Sequence, residues 1–160
     1  MRTCVFAGTF DPFTTGHEYV VNKCLETFEK VIIAVGVNVD KKPLFTLEQR
    51  KQIINAVYKN DSRIEVLSYE GMLVDFMKEK GVKVTVRGIR NEEDYKYETT
   101  MSRFNQDMYS DCITMFIPTP TNLTYVSSSA IRNILSLKGD ISTYVPKNAV
   151  ELISNFTNQK

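Results

Sequence analysis

Short apolar runs alternate with longer amphipathic segments along almost the whole chain. The apolar runs lie at residues 4–7, 31–35, 64–67, 82–86 and 113–117, and the second of them, Val-Ile-Ile-Ala-Val, contains no polar residue. A strand that is apolar at every position is typical of a parallel sheet covered on both faces, whereas a half-exposed strand alternates apolar and polar residues. The pattern therefore predicts parallel strands that are connected by helices.

The longer segments carry the start and stop signals of helices. They predict four helices over about residues 16–28, 72–80, 91–108 and 127–139. Two further helices are predicted to begin at about Thr46 and Pro146. Thr46 and Gln49 have the spacing of a capping box, and Gly81 is suited to end the third helix. Since crossovers between parallel strands are right-handed, this order of elements predicts an α/β fold: a Rossmann-like, twisted, five-stranded parallel sheet with helices on both faces.

The composition limits the class of protein. With 42% hydrophobic and 24% charged residues in 160, we expect residues 1–160 to form one globular domain. No apolar run approaches the roughly 20 residues of a membrane helix, and no signal-peptide pattern opens the chain, so we expect a cytoplasmic protein without membrane contact. A net charge of +1 argues against nucleic-acid binding. The three cysteines form no CxxC pair, which argues against a disulfide framework or a zinc site.

Four unusual polar segments each follow a predicted strand. They lie at residues 8–17, 40–43, 87–90 and 124–129 and supply hydroxyls, cations and glycines. Taken singly, each is equally well explained as an ordinary turn, a solvated loop or a helix cap. In an open α/β sheet, however, the carboxyl ends of the strands and the N-termini of the helices meet at one edge, where ligands bind. Together the four segments favour a polyphosphate site at that edge.

His17 is the only histidine in the chain. A lone histidine is usually structural or exposed, and a metal site would lack a second imidazole. His17 follows Gly16 at the predicted start of the first helix, where backbone N–H groups attract an anion. At that position the imidazole is placed to donate a hydrogen bond to a phosphate oxygen.

Two motifs resemble those of a known superfamily. Gly-Thr-Phe-Asp-Pro at 8–12 with Thr-Thr-Gly-His at 14–17 resembles the (H/T)xGH signature of the nucleotidyltransferase α/β-phosphodiesterases, and Val-Ser-Ser-Ser-Ala-Ile-Arg at 126–132 resembles their second motif. Further details are similar to the bacterial phosphopantetheine adenylyltransferases, namely Thr14 opening the first motif, Lys-Lys-Pro before Phe45, Arg-Gly-Ile-Arg and then Tyr-Glu. The resemblance covers nearly the whole chain and implies a single nucleotidyltransferase domain.

The resemblance also implies roles for individual residues. The implied catalytic residues are His17, Lys41 and Arg90. The implied phosphopantetheine-binding residues are Thr9, Lys41, Leu73 and Arg87. The implied ATP-binding residues are Thr9, Phe10, His17, Gly88, Ile89, Arg90, Glu98, Leu123, Thr124, Tyr125, Val126, Ser127, Ser128 and Ser129. The chain departs from the usual family pattern in three places: Phe6-Ala7 replaces Tyr-Pro, Thr15 replaces an asparagine, and Leu123 replaces a tryptophan on the adenine side.

The implied reaction joins the AMP part of ATP to the phosphate of 4′-phosphopantetheine, with Mg²⁺ on the triphosphate and a homohexamer as the assembly. Two alternatives remain open on the sequence. A sister enzyme would use nicotinate mononucleotide, glycerol phosphate or FMN as acceptor, although such enzymes generally carry two histidines where this chain has Thr14 and His17. A regulatory module would bind nucleotide without turnover. Neither GxxxxGK[ST] nor GxGxxG occurs, which argues against a P-loop kinase and a dinucleotide dehydrogenase.

Overall fold

Five parallel strands form the centre of the computed structural model, which describes residues 2–38, 40 and 42–159. The strands are β1 (Thr3–Gly8), β2 (Lys30–Val37), β3 (Ile64–Glu70), β4 (Val84–Ile89) and β5 (Ile113–Pro118). Their order across the sheet is β3-β2-β1-β4-β5, and every neighbouring pair is parallel. The predicted five-stranded parallel sheet is therefore confirmed.

Six α-helices connect and flank the strands. They are α1 (Thr15–Thr27), α2 (Leu47–Val57), α3 (Leu73–Glu79), α4 (Glu92–Met108), α5 (Ser128–Ser136) and α6 (Val150–Asn158). The capping box that begins α2 is present as predicted, because Thr46 Oγ1 accepts from the Gln49 N–H and the Gln49 side chain accepts from the Thr46 N–H. The segment after Pro146 begins as a 3-10 turn, Lys147–Ala149, before α6. No helix of the described ranges has the length and apolarity to cross a membrane.

The residues of each central strand alternate between two apolar layers. In β2, Val31, Ile33 and Val35 face one layer and Ile32 and Ala34 the other, and all five are buried. Helices α1, α2, α5 and α6 pack on the first layer and α3 on the second, while the side chain of α4 residue Glu98 reaches Arg87 on that second side. Helices thus cover both faces, which explains why the run of β2 contains no polar residue.

The predicted boundaries of the fourth strand are wrong. The apolar pattern predicted a strand at 82–86 followed by a loop, whereas β4 runs from Val84 to Ile89 and pairs with β5 over its whole length. Val82 instead joins the end of α3, since its N–H donates to the carbonyl oxygen of Met77. The strand continues through Arg87 because an ion pair compensates this charged side chain. The Arg-Gly-Ile segment is therefore held in the sheet.

Helix α1 packs very closely on β4 at a single glycine. A Cβ atom added at Gly88 would lie 2.9 Å from Cγ2 of Val20, closer than real side chains approach. The absence of a side chain at Gly88 lets α1 lie against the carboxyl end of β4. This contact brings the first turn of α1 next to the residues that follow β4.

We predict that Gly88→Ala and Val20→Ala are coupled in a double-mutant cycle. Gly88→Ala alone should lower the free energy of unfolding by about 1–3 kcal/mol, because the new methyl group clashes with Val20. In a protein that already carries Val20→Ala, the same substitution should lower the free energy of unfolding much less. Urea denaturation of the unmodified protein, the two single variants and the double variant would measure this difference. Effects that add to within about 0.5 kcal/mol would contradict this packing.

Candidate active site

A cleft opens at the carboxyl edge of the sheet, between β1, β4 and the N-termini of α1 and α5. Its volume is about 360 Å³. Eleven of the predicted site residues line it: Thr9, Phe10, His17, Arg87, Gly88, Arg90, Glu98, Val126, Ser127, Ser128 and Ser129. From β1 the chain first adds β2 and β3 on one side of the sheet and then adds β4 and β5 on the other side. The cleft lies between β1 and β4, where this direction reverses. Ligands usually bind at that point of an open α/β sheet.

The imidazole of His17 is fixed by reciprocal hydrogen bonds with the N-cap residue of α1. The backbone N–H of Thr14 donates to Nδ1 of His17 over 3.0 Å, and the Thr14 hydroxyl accepts from the His17 N–H over 3.2 Å. A ring nitrogen that accepts from a backbone N–H carries no proton, so a neutral ring has its hydrogen on Nε2. Within the described residues Nε2 has no protein partner, which leaves it as a donor toward the cleft.

Aromatic rings surround the imidazole. Its centroid lies 4.9 Å from that of Phe10 in an edge-on arrangement, 5.4 Å from that of Phe13 and 6.2 Å from that of Phe6. Phe10 has a positive φ of 51°, and its ring covers Gly8, where an added Cβ would lie 2.9 Å from the ring carbons. Gly8 and Phe10 together therefore bring an aromatic ring against His17. Phe10 is itself only 3% exposed, so its ring forms part of the buried wall behind the imidazole.

The environment keeps the His17 ring neutral. Burial disfavours the charged form, and the positive charges of Arg90 and Arg87 add to this effect, so that the pKa of His17 is lowered from 6.5 to about 3. At neutral pH the ring is therefore an uncharged hydrogen-bond donor. Because Nδ1 is occupied by the Thr14 N–H, the ring is not suited to accept a proton from a nucleophile.

Two arginines in the cleft are paired with carboxylates of α4. Arg87 makes a bidentate ion pair with Glu98, with nitrogen–oxygen distances of 3.0 and 2.7 Å, and also donates to the carbonyl oxygen of Ala7. Arg90 pairs with Asp94 at 2.9 Å. Burial raises the pKa of Asp94, but the hydrogen bonds with Arg90 and the charges of Arg90 and Arg87 together lower the pKa overall. Both arginines are thus held at the cleft wall with their charges already compensated.

The three serines at the start of α5 have different contacts. The Ser127 hydroxyl caps the helix by accepting from the Ala130 N–H over 3.1 Å. The Ser128 hydroxyl donates to the carbonyl oxygen of Pro12 over 2.8 Å and so joins α5 to the loop after β1. Ser129 is exposed, and its hydroxyl has no partner in the part of the chain that the structure describes. The N–H groups of Ser128 and Ser129 and the Ser129 hydroxyl therefore remain for an anion.

The remaining predicted residues lie elsewhere. Ile89, Leu123, Thr124 and Tyr125 do not line this cleft. Leu73 lines a neighbouring cleft of about 220 Å³, which shares Arg87 and Glu98 with the first. Lys41 lies outside the described residues.

Two charged residues of the cleft were given no role in the sequence analysis. Asp94 follows Arg90 by four residues, the spacing of an ion pair at a helix start, which is a signal that could have identified it. Arg132 ends the second motif and donates to the carbonyl oxygen of Asp11 over 2.8 Å. A sequence offers no sign of such a contact, because it joins positions 121 residues apart.

Comparisons with known proteins identify relatives of the chain. The cytidylyltransferase-like family model matches residues 5–134. A phosphopantetheine adenylyltransferase of Clostridium tetani is 38% identical over 160 residues, covering 100% of both chains, and that of Flavobacterium psychrophilum is 37% identical over 147 residues, covering 92% of this chain and 97% of the relative.

Solved structures of other adenylyltransferases have the same fold. A proposed nicotinate-nucleotide adenylyltransferase from Vibrio parahaemolyticus superimposes with a TM-score of 0.71 at 19% identity, covering 100% of this chain and 98% of the other. A bifunctional NMN adenylyltransferase/ADP ribose pyrophosphatase from Francisella tularensis gives a TM-score of 0.75 at 19% identity, covering 99% of this chain and 49% of the other. At this identity the likeness concerns the fold alone.

We predict that His17 stays neutral with its proton on Nε2 to well below pH 6. As the only histidine, it gives the single imidazole signal in ¹⁵N-edited NMR, whose midpoint should lie near the pKa of about 3. Because the unfolded chain binds this proton near pH 6.5 and the folded chain does not, the free energy of unfolding should fall as the pH drops below about 6.5.

Arg90→Gln is the matched variant for this measurement. It should raise the His17 midpoint yet leave it below 6.5, since burial is the larger cause of the shift and Arg90 the next. A midpoint near 6.5 in the unmodified protein, or an Nδ1–H tautomer, would contradict the geometry.

Proposed function

The chain belongs to the phosphopantetheine adenylyltransferases of the cytidylyltransferase-like family, and we propose that it transfers AMP from ATP to 4′-phosphopantetheine, giving 3′-dephospho-coenzyme A and pyrophosphate. The observation that carries this proposal is the junction of the two clefts. Arg87 and Glu98 line both of them, so two ligands that fill the clefts meet at the same guanidinium group. A transfer between two phosphate-bearing substrates needs such a junction.

In the proposed reaction an oxygen of the phosphopantetheine phosphate attacks the α-phosphorus of ATP. The new P–O bond forms in line as the bond from the α-phosphorus to the bridging oxygen breaks, and pyrophosphate leaves with that electron pair. A phosphate monoester has its second pKa near 6 and is already a nucleophile at neutral pH, so the enzyme needs no base. Its contribution is to align two polyanions and to stabilise the charge on the transferring phosphoryl oxygens.

The neutral imidazole of His17 fits this requirement. Its Nε2–H donates to an oxygen of the α-phosphate, and the Thr14 N–H and three aromatic rings fix the direction of that donor. A preorganised donor stabilises developing charge without reorganising during the reaction. Arg90, the Ser129 hydroxyl and the first-turn N–H groups of α5 bind the outer phosphates of ATP.

Other parts of ATP contact the carboxyl end of β4, an acidic side chain of α4 and the segment before α5. We assign Gly88, Ile89 and Glu98 to the nucleoside side, together with the backbone of residues 123–127. Leu123 packs on the apolar core beneath this segment rather than in the cleft, so the nucleoside contacts there involve its neighbours.

The second cleft fits the pantetheine arm. Its lining is mixed: Met72, Leu73 and Met101 are apolar, whereas Ser102 and Asn105 can hydrogen-bond the two amides of the arm. We assign the phosphate of this substrate to Arg87, Thr9 and Lys41, at the end of the cleft next to His17. To bind this phosphate, Arg87 would give up part of its hydrogen bonding to Glu98 and donate to the phosphate oxygens instead.

Magnesium in this proposal arrives on the triphosphate of ATP. No group of three or more His, Cys, Asp or Glu in the described ranges could hold a metal ion, and the cleft carboxylates of Asp94 and Glu98 are engaged by arginines. The residues present therefore fit a cation bound by phosphate oxygens. Its contribution when bound is to neutralise part of the phosphate charge.

The reverse reaction tests the activity. We expect the enzyme to form ATP from 3′-dephospho-coenzyme A and pyrophosphate, which requires both substrates named above. His17→Ala should bind ATP with nearly unchanged affinity by calorimetry and turn over about 10²–10³-fold more slowly, because a donor to the transition state is removed. Normal turnover by His17→Ala would remove His17 from the mechanism. If ATP released pyrophosphate only with nicotinate mononucleotide, glycerol phosphate or FMN as the acceptor, the protein would be a sister enzyme.

We further propose a cytoplasmic homohexamer, in which α4 and the edge strand β5 contribute to the contacts between subunits. Helix α4 buries none of its residues within the subunit, and it carries an exposed apolar stripe of Tyr97, Phe104 and Met108. Ile113 and Met115 of the edge strand β5 are exposed as well. Exposed apolar side chains on a helix and on an unpaired edge strand are typical of an interface.

Light scattering should give six times the subunit mass of 18.3 kDa. Phe104→Glu should lower the mass, because it places a charge on the exposed stripe, whereas Leu137→Glu, at a position that is 75% exposed on another surface, should not. A monomer in the unmodified protein, or equal effects of the two variants, would contradict this assembly.

A further inference from the structure

Asp94 is a carboxylate of the cleft that the proposed reaction does not use. It lies in the first turn of α4, three residues after the N-cap residue Asn91. In a capping box, the side chain at this position accepts a hydrogen bond from the backbone N–H of the N-cap residue. Asp94 turns to Arg90 instead. Its Oδ2 accepts from the Arg90 backbone N–H over 3.1 Å and from Nε over 2.9 Å, and its Oδ1 lies 3.4 Å from Nη2.

This pair leaves one side of the Arg90 guanidinium for a ligand. Nη1 of Arg90 has no partner in the ranges that the structure describes, and the side chain is 37% exposed. Arg90 and Asp94 both line the cleft that also contains His17 and Ser129. A phosphate that binds Arg90 therefore either takes Nη1 and lies close to the carboxylate, or displaces the carboxylate from Nε and Nη2.

Asp94 opposes phosphate binding in both arrangements. Its lowered pKa keeps the carboxylate ionised at neutral pH. If the pair stays closed, the carboxylate repels the phosphate across a single guanidinium group. If the pair opens, the phosphate replaces hydrogen bonds that Arg90 already makes. The pair also orders the Arg90 side chain, which favours binding, but a triphosphate carries several negative charges that the carboxylate repels, so repulsion outweighs the ordering of one side chain.

We propose that Asp94 is a competing carboxylate, which holds Arg90 whenever no phosphate binds it and thereby weakens the binding of ATP and of pyrophosphate. This inference rests on the proposed function, in which Arg90 binds the outer phosphates of ATP. Asp94 acts through Arg90 and touches neither substrate. Because differences in affinity between related complexes appear mostly in the dissociation rate, Asp94 speeds the release of pyrophosphate after the transfer.

The test is calorimetry of the unmodified protein and Asp94→Asn with ATP, pyrophosphate and AMP. The substitution keeps the shape of the side chain and removes its charge, so ATP and pyrophosphate should bind roughly threefold to tenfold more tightly. AMP has no outer phosphates, and its affinity should stay within about twofold. The gain for ATP and pyrophosphate should shrink as the salt concentration rises, because salt screens the repulsion. A merely structural role of Asp94 would not make any ligand bind more tightly.

Glu93→Gln is the matched control. Glu93 lies in the same first turn of α4, is exposed and does not line the cleft. This variant removes the same charge from the same helix end, and it should leave all three affinities within about twofold because solvent and salt screen an exposed charge. Asp94→Ala is the second variant, since an asparagine amide can itself donate to a phosphate and an alanine cannot. It should change the affinities in the same direction as Asp94→Asn.

Three results would overturn the proposal: ATP binding that is unchanged or weaker in both Asp94 variants, an equal gain for AMP and ATP, or the same gain in Glu93→Gln. Arg90→Gln tests the premise, because it should weaken ATP and pyrophosphate but not AMP. Equal weakening of all three ligands would remove Arg90 from the outer phosphates and the proposal with it. Failure of the proposed transfer would be seen separately, as the absence of ATP synthesis by the unmodified enzyme from dephospho-coenzyme A and pyrophosphate, since the calorimetry requires no acceptor.

Discussion

The hydrogen bond from the Thr14 N–H to Nδ1 of His17 is the contact on which the rest of the site depends. It closes the first turn of α1, selects the tautomer of the imidazole and aims Nε2 into the cleft. In a usual capping box a glutamate or glutamine accepts this N–H. A histidine in that position satisfies the same helix terminus while presenting a donor on its far side, so one residue serves both folding and the site.

Much of this arrangement could be predicted because its signals are local. Capping residues, glycine stops and unbroken apolar runs act over a few residues, and they gave the order of elements and the edge at which His17, Arg90 and the serines meet. The end of β4 could not be predicted, because Arg87 enters the strand through its contacts with Glu98 on α4 and the Ala7 carbonyl of β1. Tertiary contacts of that kind also decide that Leu123 packs on the core and that Leu73 lies in a second cleft.

The cleft places charged arginines beside an uncharged imidazole, an arrangement that the net charge of the chain does not indicate. Arg87 and Arg90 bring two positive charges beside His17, and this proximity is one reason why the ring stays uncharged. The same arginines are paired with Glu98 and Asp94, so neither adds an isolated buried cation to the cleft, which would be costly. An overall charge of +1 is thus compatible with a polyphosphate site, because the cations are supplied locally.

In the proposed reaction, these pairs also determine how much free energy a phosphate gains on binding. An arginine that leaves a carboxylate for a phosphate exchanges one bidentate partner for another, so the difference between the two pairs, and not the whole Coulomb energy, contributes to affinity. His17 differs, because its Nε2–H has no protein partner among the described residues and loses only water. A donor that breaks no bond within the protein stabilises a phosphate oxygen most when negative charge develops on that oxygen. In the proposed reaction this happens during the transfer itself. In that proposed reaction the arginines therefore serve to bind phosphate, and the uncharged ring serves to stabilise the transition state.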